Sequence, residues 1–300
     1  FLISPKDVLD DFDNTTKILE SPFTSIRIIA MKKLYSLARK KGSVVILEGD
    51  GGDEIFGGYD YNLYSYLLDK YKKNKFKEKH IFKKLRQFVQ LSNKKDTHLI
   101  NLLLTNSFQY SSTSDGTIFV NSDFINEEFL NNQIDESFYF EKKIDKFNNL
   151  QKAQLKDINE IKLPRSLKYK DRLSMSEGIE TRVPLLDHKL FEFGFNLPNN
   201  CKFKNLKSRF IFKDVCQRKG FTKNMFEYSK KTIADPQKIW LKTYLKEFFL
   251  DMVHSQEFYN LKYFNPKLIS EEFNKFCRDE KYPSSFAFFQ ILSFYRFYKV

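Results

Sequence analysis

The sequence contains little of what holds a small secreted or zinc-stabilised protein together. It has three cysteines in 300 residues, Cys201, Cys216 and Cys277, and no C-x-x-C pair. Its four histidines show no spacing typical of a metal site. Neither a disulfide framework nor a zinc site is predicted, and a reducing, cytoplasmic compartment is favoured.

Long apolar runs are also missing. No stretch approaches the roughly 18 residues that a membrane span requires. No signal peptide precedes the first helix, so no membrane partner is expected. The first residue is Phe1 rather than Met, from which we expect the natural chain to begin further upstream.

Acidic residues are fewer than basic ones, which gives the chain a net charge of +13. Nine of the basic residues and a single acid, Glu78, lie between Lys70 and Arg86. Such a run can bind nucleic acid, but it is more often a solvated helical face. A nucleic-acid partner is therefore not expected, although a nucleic-acid-modifying ATPase remains an alternative.

Glycine is scarce, and its distribution is uneven. Five of the ten glycines lie in one stretch, EGDGGDEIFGGY, from Glu48 to Tyr59, together with four carboxylates. An amphipathic helix is predicted over Ser25 to Lys41, and the apolar run VVIL, residues 44–47, is typical of a buried parallel strand. A helix, a short turn, a buried strand and a glycine-rich loop together make half of a βαβ unit.

The position of this loop indicates a ligand site. Ligands of open α/β sheets bind at the carboxyl ends of the strands, and glycine lets the backbone approach a ligand closely. Carboxylates repel phosphate unless Mg²⁺ lies between them. The loop therefore predicts a Mg²⁺–nucleotide site. A surface turn is the plain alternative, and a calcium loop fits poorly because the alternating acids of an EF-hand are missing.

Two further blocks lie downstream of the loop. The loop LEGDGGDEIFGGY resembles the L-S-G-D-G-G-D-E-L-F-G-G-Y motif of the asparagine synthetase family. The block KDRLSMSEGIETRVPLLDHKLFEFGFNLP resembles its second motif, D-R-x-S-M-x-x-x-x-E-x-R-x-P-F-L-D. The stretch YSKKTIADPQKIWL, residues 228–241, resembles a weakened third motif, R-x-K-x-G-F-x-x-P-x-x-x-W. The three blocks stand in family order, over residues 21 to 245 or so.

The resemblance implies an α/β fold. We expect the end of an adenine-nucleotide alpha-hydrolase-like (ATP-pyrophosphatase) parallel sheet over residues 1–70, a helical or irregular insertion over 71–150, and a mostly helical subdomain over 151–300. The family uses ATP and Mg²⁺ to adenylate a carboxylate, usually that of aspartate. Ammonia from glutamine then displaces AMP, giving asparagine, AMP and pyrophosphate.

The resemblance also implies roles for individual residues. Asp53 would bind Mg²⁺ and pyrophosphate, with Glu54 beside it. Asp50 would lie near the acyl-adenylate and take a proton from the attacking ammonia, which is a general-base role. Lys230 would steady the charge on the α-phosphate during adenylation.

A second set would support nucleotide and pyrophosphate binding: Gly49, Gly51, Gly52, Glu54, Arg172 and Arg182. The two arginines would serve the phosphate side or position the helical subdomain. Glu180 and Asp187 are expected to be structural partners of those arginines, and Asp187 is also a plausible N-cap of the helix that follows it.

The chain departs from the family pattern in three ways. The S-G-G-x-D-S nucleotide loop and an N-terminal cysteine nucleophile are absent, so we expect the C-terminal part of a longer synthetase without its glutaminase domain. The isolated chain is then not expected to hydrolyse ATP. Glu48 replaces a serine of the first motif. Tyr228, Thr232 and Ile233 replace the arginine, glycine and phenylalanine of the third.

These departures leave the acceptor open. Aspartate is the default substrate. The alternatives are a related amide-forming synthetase, acting on a glycan sugar acid or closing a lactam or a peptide ring, and a degenerate homologue without catalytic activity.

Overall fold

The computed structural model describes residues 2–74, 122–130, 146–205, 207–221, 236–282 and 284–300. The part of the chain so described is mostly helical and contains two short strands, β1 (Val45–Leu47) and β2 (Glu180–Arg182). The helices before β2 are α1 (Pro5–Leu19), α2 (Arg27–Lys40), α3 (Gly52–Phe56), α4 (Asp60–Asn74), α5 (Glu127–Leu130), α6 (Asn149–Lys156) and α7 (Leu163–Ser176). Those after it are α8 (His188–Asn196), α9 (Asn199–Lys202), α10 (Phe210–Arg218), α11 (Gln237–Lys242), α12 (Lys246–Val253), α13 (Gln256–Asn260), α14 (Pro266–Arg278) and α15 (Phe286–Lys299).

The largest group of buried side chains joins the two ends of the chain. The rings of Phe12 of α1, Phe23 and Phe289 of α15 pack together in tilted and edge-on pairs, with centroids 4.8 to 5.7 Å apart. The backbone amide of Phe23 also donates to Ser293 Oγ at 2.8 Å. Ten of the phenylalanines are among the buried residues of this core, in which the first two helices and the last five pack together.

The two strands pair in parallel, in the register Val45 to Glu180 and Leu47 to Arg182. The predicted parallel strand is therefore confirmed, but the prediction that it is buried is wrong for the described structure. Val45 is 43% exposed and Leu47 is 70% exposed, while Ile46 between them packs against the core. Successive side chains of a strand point to opposite faces, so Ile46 points toward the core while Val45 and Leu47 point away from it.

Other local predictions fare differently. The helix expected over Ser25 to Lys41 is observed as α2, and Gly42 follows it with a φ of +88°. Asp187 caps α8, accepting hydrogen bonds from the amides of Lys189 and Leu190. The spacing of Leu241, Leu245, Phe248 and Met252 predicts one helix. This prediction is wrong, because the backbone leaves the helical region at Thr243 and separates α11 from α12.

Several predictions lie outside the described residues. They are the basic run after residue 74, most of the 71–150 insertion, and the stretch 222–235 that contains Lys230, Tyr228, Thr232 and Ile233. No helix in the described part of the chain combines the length and apolar character that crossing a bilayer demands.

Gly194 sets how closely α8 packs on α3. A methyl group at this position would lie 2.3 Å from Ile55 Cγ2 and 3.3 Å from the Phe56 ring. We expect Gly194→Ala to lower the free energy of unfolding by roughly 1–3 kcal/mol, as overpacking a filled core does. Glu192→Ala, an exposed change on the same helix, should stay within about 0.5 kcal/mol of wild type. Urea unfolding of both variants tests the contact, and equal stabilities would contradict it.

Candidate functional site

The acidic loop, residues 48–54, begins where β1 ends. The amide of Glu48 donates to the carbonyl oxygen of Arg182 at 2.8 Å, which extends the parallel ladder by one bond. The chain then turns at Gly51, whose φ is +92°, and enters α3 at Gly52. The loop therefore leaves the carboxyl end of a parallel strand, which is where ligands of such sheets bind.

The glycines of the loop make room for the second motif. A Cβ atom on Gly51 would lie 2.3 Å from Leu186 Cδ2, and one on Gly52 would lie 3.1 Å from Leu185 Cδ1. Among the described residues other than its chain neighbours, none comes within 4 Å of the place that a Cβ on Gly49 would take. The close approach predicted from the glycines is thus made, at Gly51 and Gly52, to the protein's own turn after β2.

Asp50 and Glu48 share one cation. Lys170 of α7 contacts both Glu48 Oε2 and Asp50 Oδ2. The second oxygen of each carboxylate also has a donor: Tyr35 OH lies 2.5 Å from Glu48 Oε1, and Ser166 Oγ lies 3.1 Å from Asp50 Oδ1. The predicted base is therefore held in one orientation by two side chains of a single helix.

Asp53 faces a separate group of cations. Arg209 Nη1 lies 2.8 Å from Asp53 Oδ1, and Lys213 is close enough to sense Asp53, Arg209 and Lys207 electrostatically. Burial and the two neighbouring cations lower the pKa of Lys213. A Cβ on Gly58 would lie 1.9 Å from Asp53 Oδ1, so this glycine leaves the space that the carboxylate occupies.

Glu54 is buried and holds the loop through hydrogen bonds to its carboxylate. Its carboxylate accepts from the amide of Gly51 at 3.1 Å and from Tyr59 OH at 2.5 Å. Burial and the Glu54 charge raise the pKa of Tyr59 far above its usual range, so this phenol remains a donor. Glu54 therefore fixes the loop's turn.

A buried lysine fastens α3 from the other side. Lys202 has no exposed surface. Its ammonium donates to Gln154 Oε1 at 2.9 Å and to the carbonyl oxygen of Phe195 at 3.0 Å. Gln154 in turn donates to the carbonyl oxygens of Glu54 and Ile55, both at 2.6 Å. Since both acceptors of Lys202 are neutral, burial lowers its pKa to about 8.

The two predicted arginines pair with carboxylates outside the acidic loop. Arg172 pairs with Glu20 at the end of α1, with 2.5 Å between Nη1 and Oε2. Arg182 pairs with Glu180 at 2.8 Å on the exposed side of β2, which confirms the predicted partner. Both arginines thus have structural contacts, and their role toward a nucleotide stays a prediction. Lys230 lies outside the described residues.

The donor set at Asp53 suits magnesium only in company with phosphate. Among the described residues, no three His, Cys, Asp or Glu side chains are arranged to hold a metal ion by themselves. Mg²⁺ in nucleotide sites needs only one or two carboxylates, because phosphate oxygens and water complete its shell. The partly buried Asp53, beside Arg209 and Lys213, fits that kind of site.

Sequence reasoning missed Lys170, Ser166 and Arg209. The first two did carry a signal, because they stand four residues apart in a helical block and therefore share a face. An unusual acid at Glu48 called for a nearby cation. Arg209 carried no such signal in the sequence, since its contact with Asp53 spans more than 150 residues of sequence.

Comparison with known proteins places these features in context. A family model described as asparagine synthase matches residues 1–294. The asparagine synthetase [glutamine-hydrolyzing] 1 of Bacillus subtilis (strain 168) is 21% identical over 267 residues, which cover 85% of this chain and 40% of that protein. Asparagine synthetase [glutamine-hydrolyzing] 3 of the same organism is 24% identical over 234 residues, which cover 77% of this chain and 32% of that protein. The chain spans two-fifths or less of these curated relatives.

The lowered pKa of Lys202 makes stability depend on pH. The pKa of Lys202 is about 8 in the folded chain and has its ordinary value of 10.5 in the unfolded chain. Between these two pH values the unfolded chain holds a proton that the folded chain has lost. Stability therefore rises with pH across this window, by up to about 1.4 kcal/mol per unit. Urea unfolding at pH 7.5 and at pH 10 should show that the free energy of unfolding of the wild type increases relative to that of Lys202→Met. A difference that stays constant with pH would contradict the buried ammonium.

Proposed function

The chain belongs to the asparagine synthase family, and we propose that it is the synthetase part of a glutamine-dependent carbon–nitrogen ligase. This ligase adenylates the side-chain carboxylate of aspartate with ATP and transfers ammonia to it, giving asparagine, AMP and pyrophosphate. One observation carries the proposal most directly. The acidic loop stands at the carboxyl end of β1, against the second motif, with Asp50 and Asp53 on separate cation groups.

Asp53 and its neighbours make the phosphate side of the proposed site. Asp53 would hold Mg²⁺, which supplies charge neutralisation for the departing pyrophosphate when it is bound. Arg209 and Lys213 bring two further cations to the same place. Positive groups aimed at developing phosphate charge are a large source of rate acceleration.

Asp50 makes the acyl side. In the proposed reaction, the aspartate carboxylate displaces pyrophosphate from the α-phosphorus, and ammonia then displaces AMP from the acyl carbon. Asp50 takes the proton that the attacking nitrogen loses. Its fixed orientation, through Lys170 and Ser166, supports that role. Lys230 is proposed, on the resemblance alone, to steady the α-phosphate.

The partners follow from the same proposal. Glutamine would be hydrolysed by a glutaminase domain outside these 300 residues, and the ammonia would reach Asp50. A cytoplasmic location suits the three free cysteines, since thiols stay reduced there. A synthetase of the same chemistry acting on another carboxylate remains the alternative.

An end-product assay tests the proposal. The complete gene product is incubated with ATP, Mg²⁺, aspartate and ammonium, and asparagine and pyrophosphate are measured. Equal amounts of both are expected. Pyrophosphate that forms with a sugar acid or a peptide acid, and not with aspartate, would favour the alternative. No pyrophosphate with any acid would leave a homologue without catalytic activity.

Asp53 is the residue whose loss should weaken pyrophosphate binding most clearly. Asp53→Asn keeps the size of the side chain but removes the charge that would hold Mg²⁺, so we expect Mg–pyrophosphate to bind at least about tenfold more weakly, a loss of roughly 1.4 kcal/mol. Isothermal titration of the complete gene product measures this. Asp10→Asn, the same change at an exposed position of α1, is the matched control. Equal affinities in the two variants would contradict the assignment.

A further inference from the structure

The contact that most needs an explanation is the lysine between the two carboxylates of the loop. Lys170 Nζ touches Glu48 and Asp50 together, and the three side chains are only 21%, 13% and 12% exposed, respectively. The two acids lie two residues apart in the loop and face the same ammonium. Without a cation between them they would repel each other in a site that water only partly reaches.

We propose that Lys170 is a positioning residue of the active site, whose ammonium bridges Glu48 and Asp50 and so fixes the orientation of the base, and that Glu48 and Lys170 work as a coupled pair. This inference rests on the proposed function for its kinetic consequence. Its structural consequence stands by itself.

The geometry gives each carboxylate two anchors. Tyr35 of α2 holds one oxygen of Glu48, and Ser166 of α7 holds one oxygen of Asp50. Lys170 takes the remaining oxygen of both. The five side chains form one continuous chain of hydrogen bonds, and charge-assisted bonds of this kind are stronger than neutral ones. Removing the central cation would leave each acid with a single anchor and both without a compensating charge.

Electrostatics supports a charged amine at this place. Burial alone would favour the neutral amine, but the hydrogen bonds and charges of Asp50 and Glu48 outweigh it and raise the pKa of Lys170. The amine is therefore charged at neutral pH. One cation against two anions leaves the cluster with a single negative charge.

The pairing also accounts for Glu48. The motif that the loop resembles has a small serine here, and an added acid beside Asp50 would otherwise bring an unbalanced charge. Lys170 supplies that balance from the facing helix, while Tyr35 occupies the other oxygen. Each member of the pair is therefore expected to harm the site when the other is missing.

Chemical rescue tests the bridge. Lys170→Ala removes the side chain beyond Cβ, and propylammonium replaces those atoms one for one. We expect Lys170→Ala to lower the midpoint of thermal unfolding, and propylammonium to restore it saturably. Sodium chloride at equal ionic strength should not restore the midpoint, because ionic screening does not occupy the space left by the lysine side chain. If Lys170→Ala does not fold unaided, its refolding yield with and without propylammonium makes the same comparison.

Two controls sharpen this test. Lys168→Ala removes an exposed lysine of the same helix, bonded to Ser21 Oγ at 2.9 Å, and should show no rescue. The double variant Lys170→Ala/Glu48→Ser should be more stable than Lys170→Ala alone and should no longer respond to propylammonium. Additive effects of the two changes, or equal rescue of Lys168→Ala, would overturn the coupled pair.

Kinetics of the complete protein separate positioning from simple support. Lys170→Ala should lower kcat at least about tenfold, with KM for ATP nearly unchanged, because a misplaced base slows proton transfer. Propylammonium or Lys170→Arg should recover part of that loss. A loss of kcat no larger than that of Lys168→Ala would overturn the inference. An inactive wild type would instead refute the proposed function, while the rescue of stability would still decide the bridge.

Discussion

The parallel pairing of β1 with β2 is the constraint on which the candidate site depends. The two strands have only three residues each and are separated by more than 130 residues of chain. Their register brings the acidic loop, which leaves β1, against the turn at Pro184–Leu186, which follows β2. A slip of one residue would exchange the faces of each strand. Ile46 would then leave the core, and the loop would lose its contact with the turn at Pro184–Leu186.

Charge compensation explains how a loop with four carboxylates is stable before any ligand arrives. The charges of the four acids are compensated in three different ways. Glu48 and Asp50 bind Lys170, Asp53 binds Arg209, and Glu54 accepts neutral donors inside the fold. Only the first three remain partly open to solvent. The division gives Asp50 an amine and Asp53 a guanidinium as its partner, so the two carboxylates that carry the proposed chemistry lie in different electrostatic surroundings.

The loop is also held mechanically. Helix α3 is short, and a helix of five residues has little stability of its own. It is kept in place by its contact with Gly194 of α8 and by Gln154. Gln154 is held by Lys202 and donates to the carbonyl oxygens of Glu54 and Ile55, near the end of the helix. A buried ammonium with neutral acceptors costs stability. The gain is a rigid support beneath the acidic loop, and rigid supports are what sites of precise geometry need.

The sequence by itself determined the local features. Scarce glycine and clustered acid located the loop, the apolar run predicted a parallel strand, and Asp187 was a recognisable cap, because each of these depends on neighbours within a few residues. Its motifs also identified the family. Only the tertiary structure decided which cation meets which acid, since Lys170 and Arg209 lie more than 110 residues from their partners. It also decided that Val45 and Leu47 are exposed, because the burial of a strand depends on what covers each face of its sheet and not on the strand's own residues.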